Sequence, residues 1–328
     1  MAYTAGDKIL DDEYNNFVNS ASAPVGINHI FGVGTGNQGL GQTEVATVGA
    51  GDTITASQWN SLFTAMDNTA DHTNDTLTST TARSSGDTVA VISALTSDIA
   101  TLAASVAGGS VSATALAEGS EDLSLVASAV YDTSHIVEAS FTFAGGDEAR
   151  YFFNAGGKIR MKLTNNATNS TAKDTSLSAL ATAIGNFDLG ATASTRSGSG
   201  ETVTTNGLAL GYYDLTTSYQ TLLLLTEDSG TYSGDIQVKI EAKTSSAHAD
   251  SRGNNGEVVT FKCSALQNEA VRDDYTSGNV DSINVEEEAI GTSDFAFHTM
   301  DPTTAQGLGT VYTNISVAEV SNAIVNAD

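Results

Sequence analysis

The sequence predicts a mainly β protein with an α-helical N-terminal region and an antiparallel β-sandwich module, or modules, toward the C-terminus. Three observations carry this reading. Gly-Asp motifs, each followed by a stretch of helical period, crowd residues 1–108. From about residue 125 the apolar period changes to two. Large apolar residues are sparse but spread along the chain, and Ser, Thr, Asn and Gly make up the polar bulk, as suits thin-cored β modules with long loops. The domains expected are an N-terminal assembly region (1–108), a linker (109–124), a β-sandwich domain (125–270) and an extension that completes or lengthens it (271–328).

The Gly-Asp motif occurs twice in full. Ala5-Gly6-Asp7-Lys8-Ile9 leads into Glu13-Tyr14-Asn15-Asn16-Phe17, and Ala50-Gly51-Asp52-Thr53-Ile54 leads into Gln58-Trp59-Asn60-Ser61-Leu62. A weaker copy begins at Ser85-Gly86-Asp87. Each reads as a tight turn, a β-branched anchor and a helix. Asp11 or Asp12 is the expected cap of the first helix, and Thr55 or Ser57 that of the second. Tyr14, Phe17 and Val18 share one helical face, as do Trp59, Leu62, Phe63 and Met66. Between them, Gly32–Gly41 reads as a flexible glycine-rich loop. In the third helix Ile92, Leu95, Ile99, Leu102 and Val106 form an a/d seam about two heptads long, too short to stand as a lone coiled coil. That seam packs on an oligomeric partner, on a larger body or on its own domain's core. The first of these makes Tyr14, Phe17, Trp59, Leu62, Phe63, Met66, Ile92, Leu95, Ile99, Leu102 and Val106 the candidate assembly interface.

Strands are expected at 135–143, 149–154 and 158–163, joined by turns into a meander. A short helix follows at 176–184. Strands resume at 202–205, 208–213, 219–226, 235–242 and 258–263. Beyond 270 the candidates are strands at 283–290 and 311–317, with a closing helix over 316–325 as the alternative. Tyr151, Phe152, Phe153, Tyr212, Tyr213 and Tyr219 gather in this half. Adjacent aromatics on a strand point to opposite faces, so half of them would meet a helix, a neighbouring subunit or solvent.

The formal net charge of −26 repels phosphate backbones and bare anionic membranes, so neither nucleic acid nor a membrane is an expected partner. One cysteine, Cys263, excludes an intrachain disulfide. The opening residues lack the pattern of a signal peptide, and Leu222–Leu225, the longest aliphatic run, is far too short to span a bilayer. Synthesis in a cytoplasm is therefore expected.

Catalytic patterns are thin. His29, His72, His135, His248 and His298 form no H-E-x-x-H. Gly34–Gly39 matches G-x-G-x-x-G formally, but its flanks are loop-like, and no P-loop occurs. Cys263 lies in an alternating strand without a nucleophile's local signature. The acidic runs Glu286-Glu287-Glu288 and Asp273-Asp274 read as solvated faces; paired carboxylates would otherwise point to a glycan depolymerase. No cofactor is expected. Structural calcium has two candidate oxygen sets, Asp71/Asn74/Asp75 and Asp250/Asn254/Glu257, neither with EF-hand spacing.

The repeated Ala-Gly-Asp-x-Ile motif with its polar-aromatic-Asn helix resembles the N-terminal segments of tailed-bacteriophage virion proteins. Residues 1–19, 31–42, 50–68 and 150–159 together are similar to structural proteins of marine T4-like phages such as cyanophages. The resemblance implies a non-enzymatic, homo-oligomeric fibre, appendage or tail-associated subunit, located in the virion and anchored by its N-terminal helices. Its partners would be copies of itself, with a trimer as the expected assembly, and other virion proteins. The alternatives are a capsid decoration or cement protein, or a receptor-binding adhesin whose β domain takes a host-surface glycan.

Overall fold

The computed structural model describes residues 10–23, 25–87, 92–111, 116–166, 171–229, 232–246, 256–267, 290–302, 308 and 314–326. Three helices come first: α1 (Asp11–Asn19), α2 (Ala56–Thr73) and α3 (Ile92–Ala107). A single π-helical turn, Asn28–Gly32, lies between α1 and α2. Thr55 caps α2 through a reciprocal box. Its hydroxyl accepts from the Gln58 N–H (3.3 Å), and its own N–H donates to Gln58 Oε1 (2.8 Å). At the far end of α2, Asn74 takes the left-handed conformation. The N-cap of α1 is Leu10, which offers no side-chain bond; Asp11 and Asp12 sit in the first turn, where their charge favours the helix dipole instead.

The rest of the chain runs β1 (Leu123–Val126), β2 (Ser134–Thr142), α4 (Gly146–Asn154), β3 (Lys158–Asn165), α5 (Ala172–Ile184), β4 (Asn186–Leu189), β5 (Ser194–Arg196), β6 (Thr202–Asn206), β7 (Gln220–Thr226), β8 (Ile236–Thr244), β9 (Val258–Gln267), β10 (Ser293–Met300) and β11 (Ser316–Val325). These strands form two antiparallel sheets, in the orders β1-β10-β3-β4-β5 and β11-β2-β9-β8-β7-β6. The mainly β, sandwich-like class read from the sequence is therefore the observed one. Strict alternation sets the register. In β3, Ile159, Met161 and Leu163 are buried while Lys158, Arg160 and Lys162 are half-buried. Phe141 and Phe261 from one sheet meet Phe297 from the other, all ring centroids about 6 Å apart. Helix α5 touches β3 in one sheet and β8 in the other, burying Leu177, Leu180 and Ile184.

Four expectations are corrected. Residues 149–154 are helical, not a strand, so the expected meander is broken: α4 carries the chain from β2 in one sheet to β3 in the other. Every residue from Ala149 to Asn154 is buried, so no exposed face in that stretch marks a helical period. Residues 208–213 form turns and the start of a 3₁₀ turn (Tyr212–Asp214). The segment 316–325 is strand β11 rather than a closing helix. The loop 32–41 is not free, as described below. Strands β1, β4, β5 and β10 were not foreseen. Of the strand expected at 283–290, all but Ile290 lies outside the described residues, as do residues 311–313.

The buried apolar side chains form one continuous cluster that runs from Tyr14 in α1 through the sandwich to Leu308. The helical region and the sandwich thus share a core.

Candidate assembly region

The Gly-Asp motifs build the same local structure each time they are described. At 49–52 and at 84–87 the fourth residue's N–H bonds back to the first residue's carbonyl, Asp52 to Gly49 (3.0 Å) and Asp87 to Ser84 (3.1 Å). The third residue is glycine at φ +82° (Gly51) or +92° (Gly86), the left-handed position that a type II turn requires. The Asp87 carboxylate also accepts from the Ser84 N–H (2.7 Å).

A matching asparagine joins one module to the next. Asn15 stands nine residues after Gly6, and Asn60 nine after Gly51. Asn15 Nδ2 donates to the Val48 carbonyl (2.9 Å) while its Oδ1 accepts from the Val48 N–H (2.8 Å). Asn60 grips Arg83 in the same way, at 3.0 and 2.8 Å. Val48 precedes Gly51 by three residues, and Arg83 precedes Gly86 by three. Each helix therefore holds the strand-like approach to the following turn. The third copy has Leu95 where the asparagine would stand, and it is fully buried, so the series of grips ends there. Asn28 makes one more such pair, with Val45 (2.9 and 2.8 Å). The repeat was legible in the sequence; the reach of its asparagine was not.

Aromatic packing supports these grips. Tyr14 and Trp59 meet edge-on at 5.2 Å, and Trp59 also lies near Phe17 (6.4 Å) and Phe63 (5.8 Å). The Tyr14 hydroxyl donates to the Gln58 carbonyl (3.1 Å), and burial pushes its pKa up to about 12. In α3, Asp98 accepts from the Thr78 and Ser79 N–H groups (both 2.9 Å) and from the Ser79 hydroxyl (2.6 Å), tying residues 78–79 to that helix.

The glycine-rich loop is clamped by α4. Arg150 is completely buried. Its guanidinium donates to the carbonyls of Gly34, Gln38 (3.0 Å) and Val33 (3.4 Å), lies 3.4 Å from the half-exposed Asp147 carboxylate, and covers the Tyr151 ring at 4.7 Å. Asn154 Nδ2 lies 2.9 Å from the carbonyls of Gln38 and Gly39, and Tyr213 Oη lies within hydrogen-bond distance of Gly36 O (2.5 Å) and Asn154 Oδ1 (2.7 Å). A Cβ at Gly41, where φ is +67°, would come within 2.5 Å of the Tyr151 ring. Glycine is thus required by close approach as well as by conformation.

The residues proposed from sequence as an intersubunit surface are placed elsewhere. Tyr14, Phe17, Trp59, Leu62, Phe63, Met66, Leu95, Ile99, Leu102 and Val106 are all buried in the chain's own core, with Ile92 half-buried against it. The apolar area they would remove from water between subunits is already removed within one chain, so in this fold they form no exposed seam. Tyr151, Phe152, Phe153 and Tyr212 are buried, with Phe153 stacked on Tyr212 at 4.4 Å. Tyr219 lies beneath Lys243 (4.3 Å) and Lys262 (5.6 Å).

Beside α2 runs a groove of about 910 Å³, lined by 43–46, 83–85 and an α2 face that includes Ser57, Ser61, Thr64 and Asn68. These small polar side chains alternate with Phe31, Val45, Ala46, Ala56 and Ala65.

Other chemically suggestive groups resolve as structural. Ser293 Oγ lies 2.7 Å from His135 Nδ1, and His135 Nε2 lies 2.9 Å from Asn322 Oδ1. The amide oxygen only accepts, so Nε2 carries the proton and Ser293 donates to Nδ1, while Tyr131 Oη stands 3.0 Å from the same serine. Desolvation lowers the His135 pKa and keeps the ring neutral. Both Ser293 and His135 have zero exposure, so no substrate reaches this hydroxyl unless the sheets part. Cys263 is fully buried, and burial pushes its thiol pKa up, away from the reactive thiolate. Among the described residues no three His, Cys, Asp or Glu side chains converge on a metal position; Asp250 and Asn254 lie outside those residues. No described helix is long and apolar enough to cross a membrane. On the outer face of the β1–β5 sheet, Arg160 pairs bidentately with Asp188 (2.7 and 2.9 Å) and also with Glu118 (2.8 Å), which Lys162 shares.

No protein-family model, no curated protein and no solved structure matches this chain.

Proposed function

We propose that this chain is a non-enzymatic structural subunit of a tailed-bacteriophage virion, homo-oligomeric and belonging to a fibre, an appendage or another tail-associated part. One observation carries the reading. The segments that resemble phage virion proteins are scattered in sequence, yet they pack into one body. Residues 10–19 meet 50–68 through Tyr14 and Trp59, and 31–42 meets 150–159 through Arg150 and Asn154. The resemblance therefore follows a folded unit rather than isolated loops. The unit is an anchoring platform that the sandwich extends. Its helices serve by rigidity, since their apolar faces are consumed internally, and attachment falls to exposed surfaces such as the groove beside α2.

The test is location. Purified particles of a phage that encodes this chain are labelled with gold-tagged antibody against the sandwich. Labelling at one fixed, symmetry-repeated position is the expected result. Absence of the chain from washed particles by peptide mass spectrometry overturns the proposal, and labelling across the head surface replaces the tail assignment with a decoration role.

A further inference from the structure

Carboxylates outnumber cations in this chain, with 39 Asp and Glu against 13 Lys and Arg. The described cations are accordingly well matched. All but one of the described lysines and arginines meet a carboxylate, a carbonyl, an amide oxygen or an aromatic ring. Arg83 is the exception. Only its backbone is bonded, to Asn60 (3.0 and 2.8 Å). Among the described residues nothing accepts from its guanidinium, and its Nε is shut off from water without a partner. A half-buried arginine of this kind keeps its planar set of donors for a carboxylate.

Arg83 lines the groove beside α2, and the Asn60 grip fixes its main chain to that helix. The groove follows three turns of α2, from Ser57 to Asn68, or about 16 Å. Ser57, Ser61 and Thr64 line it with small, exposed hydroxyl side chains. Asn68 is half-buried at one end, and its amide bonds to no described residue. Elsewhere in this region such amides are in use: Asn15, Asn28 and Asn60 each hold the N–H and C=O of one residue in an extended segment. Asn68 offers the same pair of groups on the same helix as Asn60, two turns on. Glu44, exposed on the 43–46 segment, also lines the groove, and no ion pair joins it to Arg83.

We propose that this groove receives an extended segment of another protein of the same particle, with one carboxylate seated on Arg83 and its main chain held by Asn68. An extended chain advances about 3.3 Å per residue, so five or six residues fill the length. Small hydroxyl side chains leave room for a main chain and supply donors and acceptors to it, while Phe31 and Val45 give apolar contact. Charge narrows the partner. A body of net charge −26 repels polyanions, and it repels a second copy of itself. The fitting segment is therefore neutral or basic overall around its single carboxylate, with any cation placed toward Glu44. This rests on the attachment role proposed for the groove and gives that role a partner.

The probe is an immobilised library of random hexapeptides, bound by the full chain. The retained peptides should be enriched in members with a single Asp or Glu. Their binding should fall at least about tenfold in Arg83→Gln and about three- to tenfold in Asn68→Ala, with unchanged circular dichroism in both. Amidation of the peptide carboxylate should match the Arg83→Gln loss, and the two changes together should cost no more than either alone. Retention indifferent to Arg83→Gln, retained peptides that lack a carboxylate, or no retention at all overturns the docking site. Self-association in sedimentation velocity that Arg83→Gln abolishes overturns the assigned partner in favour of a second copy. Carboxylate-dependent docking by a chain absent from washed particles overturns the virion reading alone; a chain present in particles whose Arg83→Gln variant retains peptides like the wild type overturns the groove alone.

Discussion

Before Leu123 the described chain has helices and extended segments but no strand; after it, the extended segments pair into two sheets. The two halves therefore satisfy their backbones differently. In the sheets, ladders take up the N–H and C=O groups. In the helical half, asparagine side chains imitate a strand neighbour: Asn15, Asn28 and Asn60 each offer one donor and one acceptor to a single residue of an extended segment. Arg150, which only donates, serves a run of carbonyls. Loops can thus be fixed as firmly as strands, but each grip depends on one polar side chain, whereas a ladder spreads its bonds over many residues.

The sharpest challenge to this contrast compares Arg150→Met with Phe297→Ala. The first takes the Arg150 donors from the Gly34 and Val33 carbonyls, at about 1–3 kcal/mol for each carbonyl left unpaired. The second opens a cavity in the aromatic contact between the sheets, at about 3–5 kcal/mol. Their sizes are alike but their reach should differ. Hydrogen exchange in Arg150→Met is expected to rise through residues 31–42 and α4 while β8 and β9 stay protected; in Phe297→Ala, protection should fall across both sheets. Equal exchange everywhere in the two variants would show that the halves unfold as one unit and that the grips have no local meaning.

Asn60→Ala comes next. It removes both bonds to Arg83 and should cost about 1–3 kcal/mol in urea unfolding. Asn60→Asp keeps an acceptor for the Arg83 N–H but sets a carboxylate against the Arg83 carbonyl, so it should rescue little. If Asn60→Asp matched the wild type, the grip would be one-sided and the resemblance to a strand neighbour would fail.

Much of this was readable from residues alone. The turn–helix repeats, the face Trp59-Leu62-Phe63-Met66 and the alternating strands β3 and β8 follow from periodicity, because one side of each element is buried and the other is not. What escaped was set by contacts distant in sequence. Helix α4 is buried throughout Ala149–Asn154, so no exposed face in that stretch marks a helical period. The loop 32–41 looked free because its donors sit more than a hundred residues away, at Arg150 and Asn154. The helix faces were legible as apolar, but whether they met another copy or their own chain depended on partners such as Leu40 and Val45, which no local pattern announces.

The smallest expected effect tests whether surface charge adds to the sheet half what the ladders already supply. Glu118 accepts from both Lys162 and Arg160, and these bonds hold its pKa down to about 2, well below the ordinary value of 4.5. A carboxylate depressed in the folded state contributes fully above the unfolded pKa. That contribution is lost as pH falls from 4.5 toward 2, where the folded chain at last takes up the proton. Glu118 is nonetheless largely solvated, so Glu118→Gln should cost under about 1 kcal/mol at pH 7, and less at high salt. Below pH 4.5 the difference between variant and wild type should shrink toward zero. A gap that persists unchanged at pH 2.5 would mean that the Glu118 side chain matters by packing against β3 and not by its charge.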